Sequence, residues 1–162
     1  MNTTEYNIIV RQWGPHLLRF ANRNLNNMDV AKDVVQDAFE VLWKNKDEIQ
    51  AEKARQYLFT VVFRKGIDVF RKNKNNVAIE EHHYEIGQMA GFEKQISDKE
   101  FVKMAMDALP EVQRQLVLLR DLEGYDYKEL EAITGLNESQ VKVYLFRARK
   151  ALKETITTME AL

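Results

Sequence analysis

The sequence predicts an all-α protein built as two small helical domains joined by a linker, and three observations predict it. Apolar residues recur at three- and four-residue spacing along most of the 162-residue chain, the mark of amphipathic helices. Only two prolines and six glycines interrupt that pattern. Between residues 73 and 96 the periodicity fades into an acidic stretch that is long for a connection inside one compact domain. The expected division is residues 1–74, an acidic linker over 75–97, and residues 98–162.

Thr3 or Thr4 caps the first helix, in which Tyr6, Ile9, Val10, Trp13, Leu17 and Phe20 share a face. Gly14-Pro15 interrupts it, because proline lacks the backbone donor and clashes with the preceding turn. A kink or two short helices are expected there. Asn27 or Asp29 opens a second helix that runs to about Lys44, with Val30, Val34, Ala38 and Leu42 turned inward. Its Asp33, Gln36, Asp37 and Glu40 stand at offsets of three, four and seven residues, so they form one acidic stripe. Such a stripe suits a basic partner, although a solvated face has the same pattern.

Residues 45–53 are polar and read as a loop. From Glu52 to Lys74 the chain returns to helical spacing through Ala54, Leu58, Val61 and Val62. Gly66 is the weak point of that helix, since glycine costs roughly 1 kcal/mol against alanine inside one. Arg64, Asp68, Arg71 and Lys72 fall on one face with Lys65 beside them, the most basic stretch of the chain. Tyr57, Phe59 and Phe63 stand among these cations. Aromatic rings beside Lys and Arg suit single-stranded nucleic acid, whose bases stack while cations follow the phosphates. Each ring taken singly also fits a helical core.

In the linker, Glu80, Glu81, Glu85 and Glu93 supply the acidity and Gly87 and Gly91 the punctuation, with room for one short helix. The Glu80-Glu81-His82-His83 run is read as solvated linker, because adjacent residues do not converge on one ion. His16 stands alone and is expected to be structural. Ser97 with Glu100 forms a capping box, and Phe101, Ala105 and Ala108 follow on one face. Leu109-Pro110 ends that helix and begins the next. Val112, Leu116 and Leu119 point inward until Gly124 stops it.

The last stretch carries the clearest local signals. Asp126 and Glu129 form a second capping box. Leu130 and Ile133 lie on one face, and Gly135 ends the helix in the left-handed region. Asn137 with Gln140 starts a final helix whose apolar stripe is Val141, Leu145, Ala148 and Leu152. Its other face carries Gln140, Lys142, Arg147 and Lys150. Two helices about a glycine turn, the second with a cationic face, make the helix-turn-helix pattern, which lays its second helix in a DNA major groove. An ordinary helical hairpin with a solvated face shares that spacing.

The net charge of −1 opposes simple, tight DNA binding, since a stand-alone DNA-binding domain is usually basic. Either charge is segregated along the chain or a second macromolecule supplies attraction to phosphate. The absence of cysteine excludes disulfides and thiolate metal sites and fits a reducing compartment. With no apolar run long enough to span a membrane and no signal segment at the start, a cytoplasmic location is expected. No Gly-rich phosphate loop, nucleophile motif or metal spacing is found, so no cofactor, metal, catalytic residue or small-molecule substrate is expected.

Ala31-Lys32-Asp33-Val34-Val35-Gln36-Asp37-Ala38-Phe39 resembles the A-x-D-x-x-Q-[DE]-[AT]-F signature of bacterial RNA polymerase sigma factors of the extracytoplasmic-function (ECF) group. Leu109-Pro110, Arg120, Gly124, Tyr127, Glu129, Leu130, Gly135, Val141, Lys142, Arg147 and Arg149 resemble that family's region four in order and spacing, and the helix with Asp68 and Arg71 resembles its promoter-melting helix. The resemblance spans nearly the whole chain.

It implies that region two docks on core RNA polymerase through Asp33, Gln36, Asp37 and Glu40. It implies that residues 45–53 and the helix bearing Tyr57, Arg64, Lys65, Asp68, Arg71 and Lys72 hold a melted −10 element. Region four would set Ser139, Gln140, Lys142, Val143, Phe146 and Arg147 at the −35 element, with Tyr127 and Lys128 on backbone phosphates, and the linker near the template strand. An anti-sigma factor is a further implied partner. The family usually carries Asn where Arg64 stands and Trp where Tyr57 stands; arginine does not reproduce an amide's bidentate reading of a base. The protein would be a promoter-specificity subunit, not an enzyme. The alternative is a stand-alone helix-turn-helix regulator.

Overall fold

The computed structural model describes residues 1–76 and 97–161; the Glu80–His83 run and the linker helix expected from the sequence lie outside them. Every regular element among the described residues is helical. The N-terminal unit comprises α1 (Thr3–Leu25), α2 (Met28–Lys44), a 3-10 turn (Ala51–Lys53) and α3 (Ala54–Asn76). The C-terminal unit comprises α4 (Asp98–Asp107), α5 (Glu111–Val117), a π-helical turn (Leu118–Leu122), α6 (Tyr127–Thr134) and α7 (Glu138–Ala161).

The helix starts follow the capping residues. Asn2 caps α1, one position before the expected Thr3, in a reciprocal box with Glu5. Asn27 caps α2 by accepting from the Val30 amide, and Ser97 caps α4 with Glu100 in return. Helix α1 runs unbroken through Pro15, as one helix rather than two short ones. Pro15 is exposed, so the carbonyl it leaves free is open to water, while Ile9, Leu17, Phe20 and Ala21 hold both halves to one core. Helix α3 extends to Asn76, two residues past the expected end.

The strand-like centre of α3 is helical because Leu58, Phe59, Val62 and Phe63 all enter the core. Phe59 and Phe63 therefore pack inside and are not free to stack on bases. After α5 the chain widens into the π turn, where Glu123 donates to the Leu118 carbonyl and Tyr125 to that of Leu119. Gly124, at φ +80°, then reverses the chain. Arg120 closes the reversal by donating to the Tyr125 carbonyl at 2.8 Å.

The two units share one core. Phe59 lies between Phe20, at a centroid distance of 5.7 Å, and Tyr125 of the C-terminal unit, edge-on at 5.2 Å. Helix α6 packs along α3, and α5 touches it as well. Leu116, Leu119, Leu130, Ile133, Val141, Leu145 and Ala148 continue the cluster to the far side of the C-terminal unit.

Candidate polymerase and promoter interface

Helix α2 sorts its residues cleanly. Ala31, Val34, Val35, Ala38 and Leu42 are buried, and Asp33, Gln36, Asp37 and Glu40 are exposed on the opposite side. The ridge flanks a shallow groove formed with Tyr6, Leu18 and Phe39. Tyr6 donates its hydroxyl proton to the Phe39 carbonyl at 3.0 Å. Burial, and then the nearby Glu40 charge, raise the Tyr6 phenol above its ordinary value. Asp37 stands 3.8 Å from Lys65 of α3, so Lys65 sits at the border of the acidic ridge and the basic face.

Along α3, Arg64, Asp68, Arg71 and Lys72 are exposed, while Tyr57 and Lys65 are half-buried. Tyr57 lines a groove of about 750 Å³ with Val41, Ile49, Lys53, Val61 and Arg64, and Ala132 of α6 lies on its wall. The Tyr57 hydroxyl accepts from Asn45 Nδ2 at 3.3 Å, which ties the ring to the loop after α2. Of the three aromatics expected beside the cations, only Tyr57 faces the groove. Phe70 is a further exposed aromatic on the same helix.

The helix-turn-helix is built as its sequence indicates. Asp126 and Glu129 cap α6 reciprocally, and Gly135 ends it at φ +78°. Asn137 Oδ1 accepts from the Gln140 amide at 2.8 Å, and Gln140 Oε1 accepts from the Asn137 amide at 3.0 Å. Val141, Leu145 and Ala148 fix the inner face of α7. Ser139, Gln140, Lys142, Val143, Phe146 and Arg147 all face solvent, Phe146 at 69% exposure. So large an apolar surface on a cationic helix suits contact with a thymine methyl or a sugar.

Lys142 pairs with Glu138 at 2.7 Å on the same helix. That contact lowers the Glu138 carboxyl below, and raises the Lys142 ammonium above, its ordinary value. Tyr127 is half-buried, with the Arg120 guanidinium 5.2 Å and the Lys142 ammonium 5.9 Å from its ring centre. Lys128 is exposed beside it.

Sequence reasoning missed the residues that join the units. Arg55 pairs with Glu129 at 2.6 Å and lies against the rings of Trp13 and Tyr125. Glu123, whose side chain is 3% exposed, takes Arg19 at 3.0 Å and His16 at 3.5 Å. His16 is thus part of the packing, as expected of a lone structural histidine. In a buried network, Asn24 donates to Glu111 at 3.2 Å and accepts from Arg114 Nε at 2.9 Å. Arg114 also pairs with Glu111 at 3.0 Å.

An exposed acidic ridge on α2, a groove-bearing helix α3 with exposed cations and a solvent-facing cationic helix α7 make three separate polar surfaces on a helical protein. The family follows from comparison with known proteins. The family model for sigma-70 region 2 matches residues 9–76 and that for sigma-70 region 4 matches residues 102–152. The ECF RNA polymerase sigma factor SigM of Bacillus subtilis is 30% identical, over 83% of this chain and 85% of its own. The ECF RNA polymerase sigma-E factor of Escherichia coli is 25% identical over 93% of this chain and 86% of its own. The chain belongs to the sigma-70 family, in its ECF group.

Among solved structures, the sigma factor RpoE of Bartonella quintana, crystallised with the anti-sigma factor NepR, aligns with a TM-score of 0.74 and 23% identity. That alignment covers 96% of this chain and 98% of the other. CnrH, solved with the cytosolic domain of CnrY, aligns with a TM-score of 0.72 and 21% identity, over 97% of this chain and 90% of the other. At those identities the likeness is one of fold.

Proposed function

We propose that this protein is a promoter-specificity subunit that binds core RNA polymerase, recognises −35 and −10 elements and helps open the promoter. The observation that carries the reading is the sorting of exposed charge by helix. The acidic Asp33, Gln36, Asp37 and Glu40 ridge lies on α2 and borders the cations of α3 at the Asp37–Lys65 pair, while the cations of α7 lie on another helix, so one face suits a basic protein while two others suit phosphate. The near-neutral total then makes sense, because polymerase supplies affinity that the chain lacks by itself.

Region two spans α1 to α3 and region four α4 to α7, with the boundaries at about residues 74 and 98. The ridge docks on polymerase. Tyr57 and Arg64 border the groove that takes unstacked bases of the −10 element, with Lys65, Asp68, Arg71 and Lys72 along the same helix. Opening costs unstacking, roughly 1.4 kcal/mol per step, offset where exposed bases are captured by stacking and hydrogen bonding. Ser139, Gln140, Lys142, Val143, Phe146 and Arg147 read the −35 major groove, and Tyr127 and Lys128 hold its backbone.

The chain acts in the cytoplasm as a binding subunit rather than an enzyme, and an anti-sigma factor is a further partner, a reading supported by the neighbour RpoE, crystallised with the anti-sigma factor NepR. Run-off transcription with purified core polymerase on promoter fragments selected by the reconstituted complex tests this. Protein-dependent transcripts from a defined start are expected. Tight duplex binding by the protein alone, with no transcript when polymerase is added, would favour the stand-alone regulator instead.

A further inference from the structure

We propose that the groove between α1 and α2 is the apolar seat of the docking face, and that it receives one large apolar side chain projecting from a basic helix of core RNA polymerase. The proposal rests on the functional reading above and adds an uncharged anchor point to its charged ridge. The groove holds about 390 Å³. Tyr6, Gly14 and Leu18 come to it from α1, and Val35 and Phe39 from α2. Gln36 and Glu40 line it as well, and both belong to the ridge. Apolar groove and acidic ridge are thus one continuous surface.

Gly14 keeps the groove open. It stands inside α1, where glycine weakens a helix, yet its backbone does not require it. Among the described residues the glycines at positive φ are Gly124 and Gly135. Packing does not require it either, because a Cβ at Gly14 would meet only the Phe39 ring, at an ordinary 3.9 Å. A longer side chain would lie over Phe39 and occupy the groove. Tyr6 is held in place by its hydroxyl on the Phe39 carbonyl at 3.0 Å and by edge-on contact with Trp43, at a centroid distance of 4.9 Å. Tyr6, Leu18 and Phe39 are only half-buried although they pack against the core, so they offer apolar surface without rearrangement.

A preformed apolar cleft between two helices, bordered by carboxylates, matches an amphipathic helix that seats an apolar residue and sets cations beside it. Asp33, Asp37 and Glu40 place three negative charges along α2, against one cation, Lys32, at the groove. Affinity in such interfaces concentrates in a desolvated anchor ringed by polar contacts. Exposed charges guide the approach and are screened by salt. The ridge therefore steers and the groove holds.

Gly14→Leu fills the groove and leaves every ridge charge in place. Affinity for purified core polymerase is read by fluorescence anisotropy of the labelled full chain at low and high salt. A loss of roughly tenfold or more is expected, about equal at both salt concentrations because the contact is apolar. Asp33→Arg is expected to give a loss that shrinks as salt rises. Gln12→Leu, exposed on α1 away from the groove lining, is expected to bind as the parent does.

Across Gly14→Ala, Gly14→Leu and Gly14→Phe the loss is expected to grow with side-chain size. Parent-like binding of Gly14→Leu overturns the proposal. An equal loss for Gly14→Ala and Gly14→Phe overturns it too, by assigning the glycine to the backbone of α1. A change confined to self-association in sedimentation, with polymerase affinity intact, would put a second copy of the chain in the groove and overturn it as well. Loss for Asp33→Arg without loss for Gly14→Leu removes the groove and keeps the functional reading; loss for neither removes both.

Discussion

Gln115 donates from its side chain to the main-chain carbonyl of Phe63, 52 residues earlier in the chain. That contact joins the helix preceding the helix-turn-helix to the basic helix of the other unit, beside the shared core around Phe59 and Tyr125, so the stability of each unit depends on its neighbour. One cooperative unfolding transition is expected for the parent protein. For Gln115→Ala, one transition at a lower temperature is expected in a calorimetric scan, because the lost amide leaves a buried gap at the junction while the shared core still couples the units. Two separated transitions would contradict a shared core.

Phe59 tests the shared core more severely. Its ring is fully buried between Phe20 and Tyr125. Phe59→Ala is expected to cost about 3–5 kcal/mol, the range for emptying an aromatic site, and to lower the melting temperature by about 10 °C. Tyr57→Ala, two residues away on the groove side, is expected to cost far less stability while weakening binding to a single-stranded −10 oligonucleotide in the polymerase complex.

On the proposed −35 assignment, Glu138 competes with DNA for Lys142. Glu138→Gln removes both the partner at 2.7 Å and a negative charge next to the phosphates. Tighter binding of a −35 duplex to the polymerase complex is expected, with a steeper dependence on salt because one more cation engages phosphate. Lys142→Ala is expected to do the reverse. Titrations at several salt concentrations measure both.

Burial pushes the Glu111 carboxyl above its ordinary value, and the Arg114 charge and the Asn24 and Gln115 hydrogen bonds only partly offset it. A raised folded-state value means the proton is held more tightly in the folded protein. The associated stability is present below the unfolded value and is lost as pH rises through the folded one. Glu111→Gln keeps the shape and removes the titration. Its stability is expected to change less than the parent's as pH rises from the ordinary carboxyl value of 4.5 through the raised folded one. Parallel curves from chemical denaturation would contradict this.

The sequence made local structure legible and left the junction hidden. Capping boxes at Ser97, Asp126 and Asn137 act over three residues, so their patterns translate directly into helix starts. The acidic stripe of α2 and the exposed face of α7 follow from periodicity alone. Phe59 and Phe63 were ambiguous for a physical reason: α3 is packed by α1 and α2 on one side and by the C-terminal unit on another. It therefore buries more of its circumference than a helix with a single apolar stripe. Asn24 and Glu111 lie 87 residues apart, and Arg114 and Gln115 look like solvated helix residues until the other unit covers them. Gly66 was the available signal, a glycine inside a helix with no turn to explain it.

The division of labour between the acidic ridge and the cationic helices is tested most directly by the affinity of core RNA polymerase for Asp33→Arg combined with Gln36→Ala. Both side chains are exposed, so the thermal melt is expected to match the parent's. Polymerase binding, measured by fluorescence anisotropy of the labelled protein, is expected to be lost. Parent-like affinity in that folded variant would contradict the assignment of the ridge.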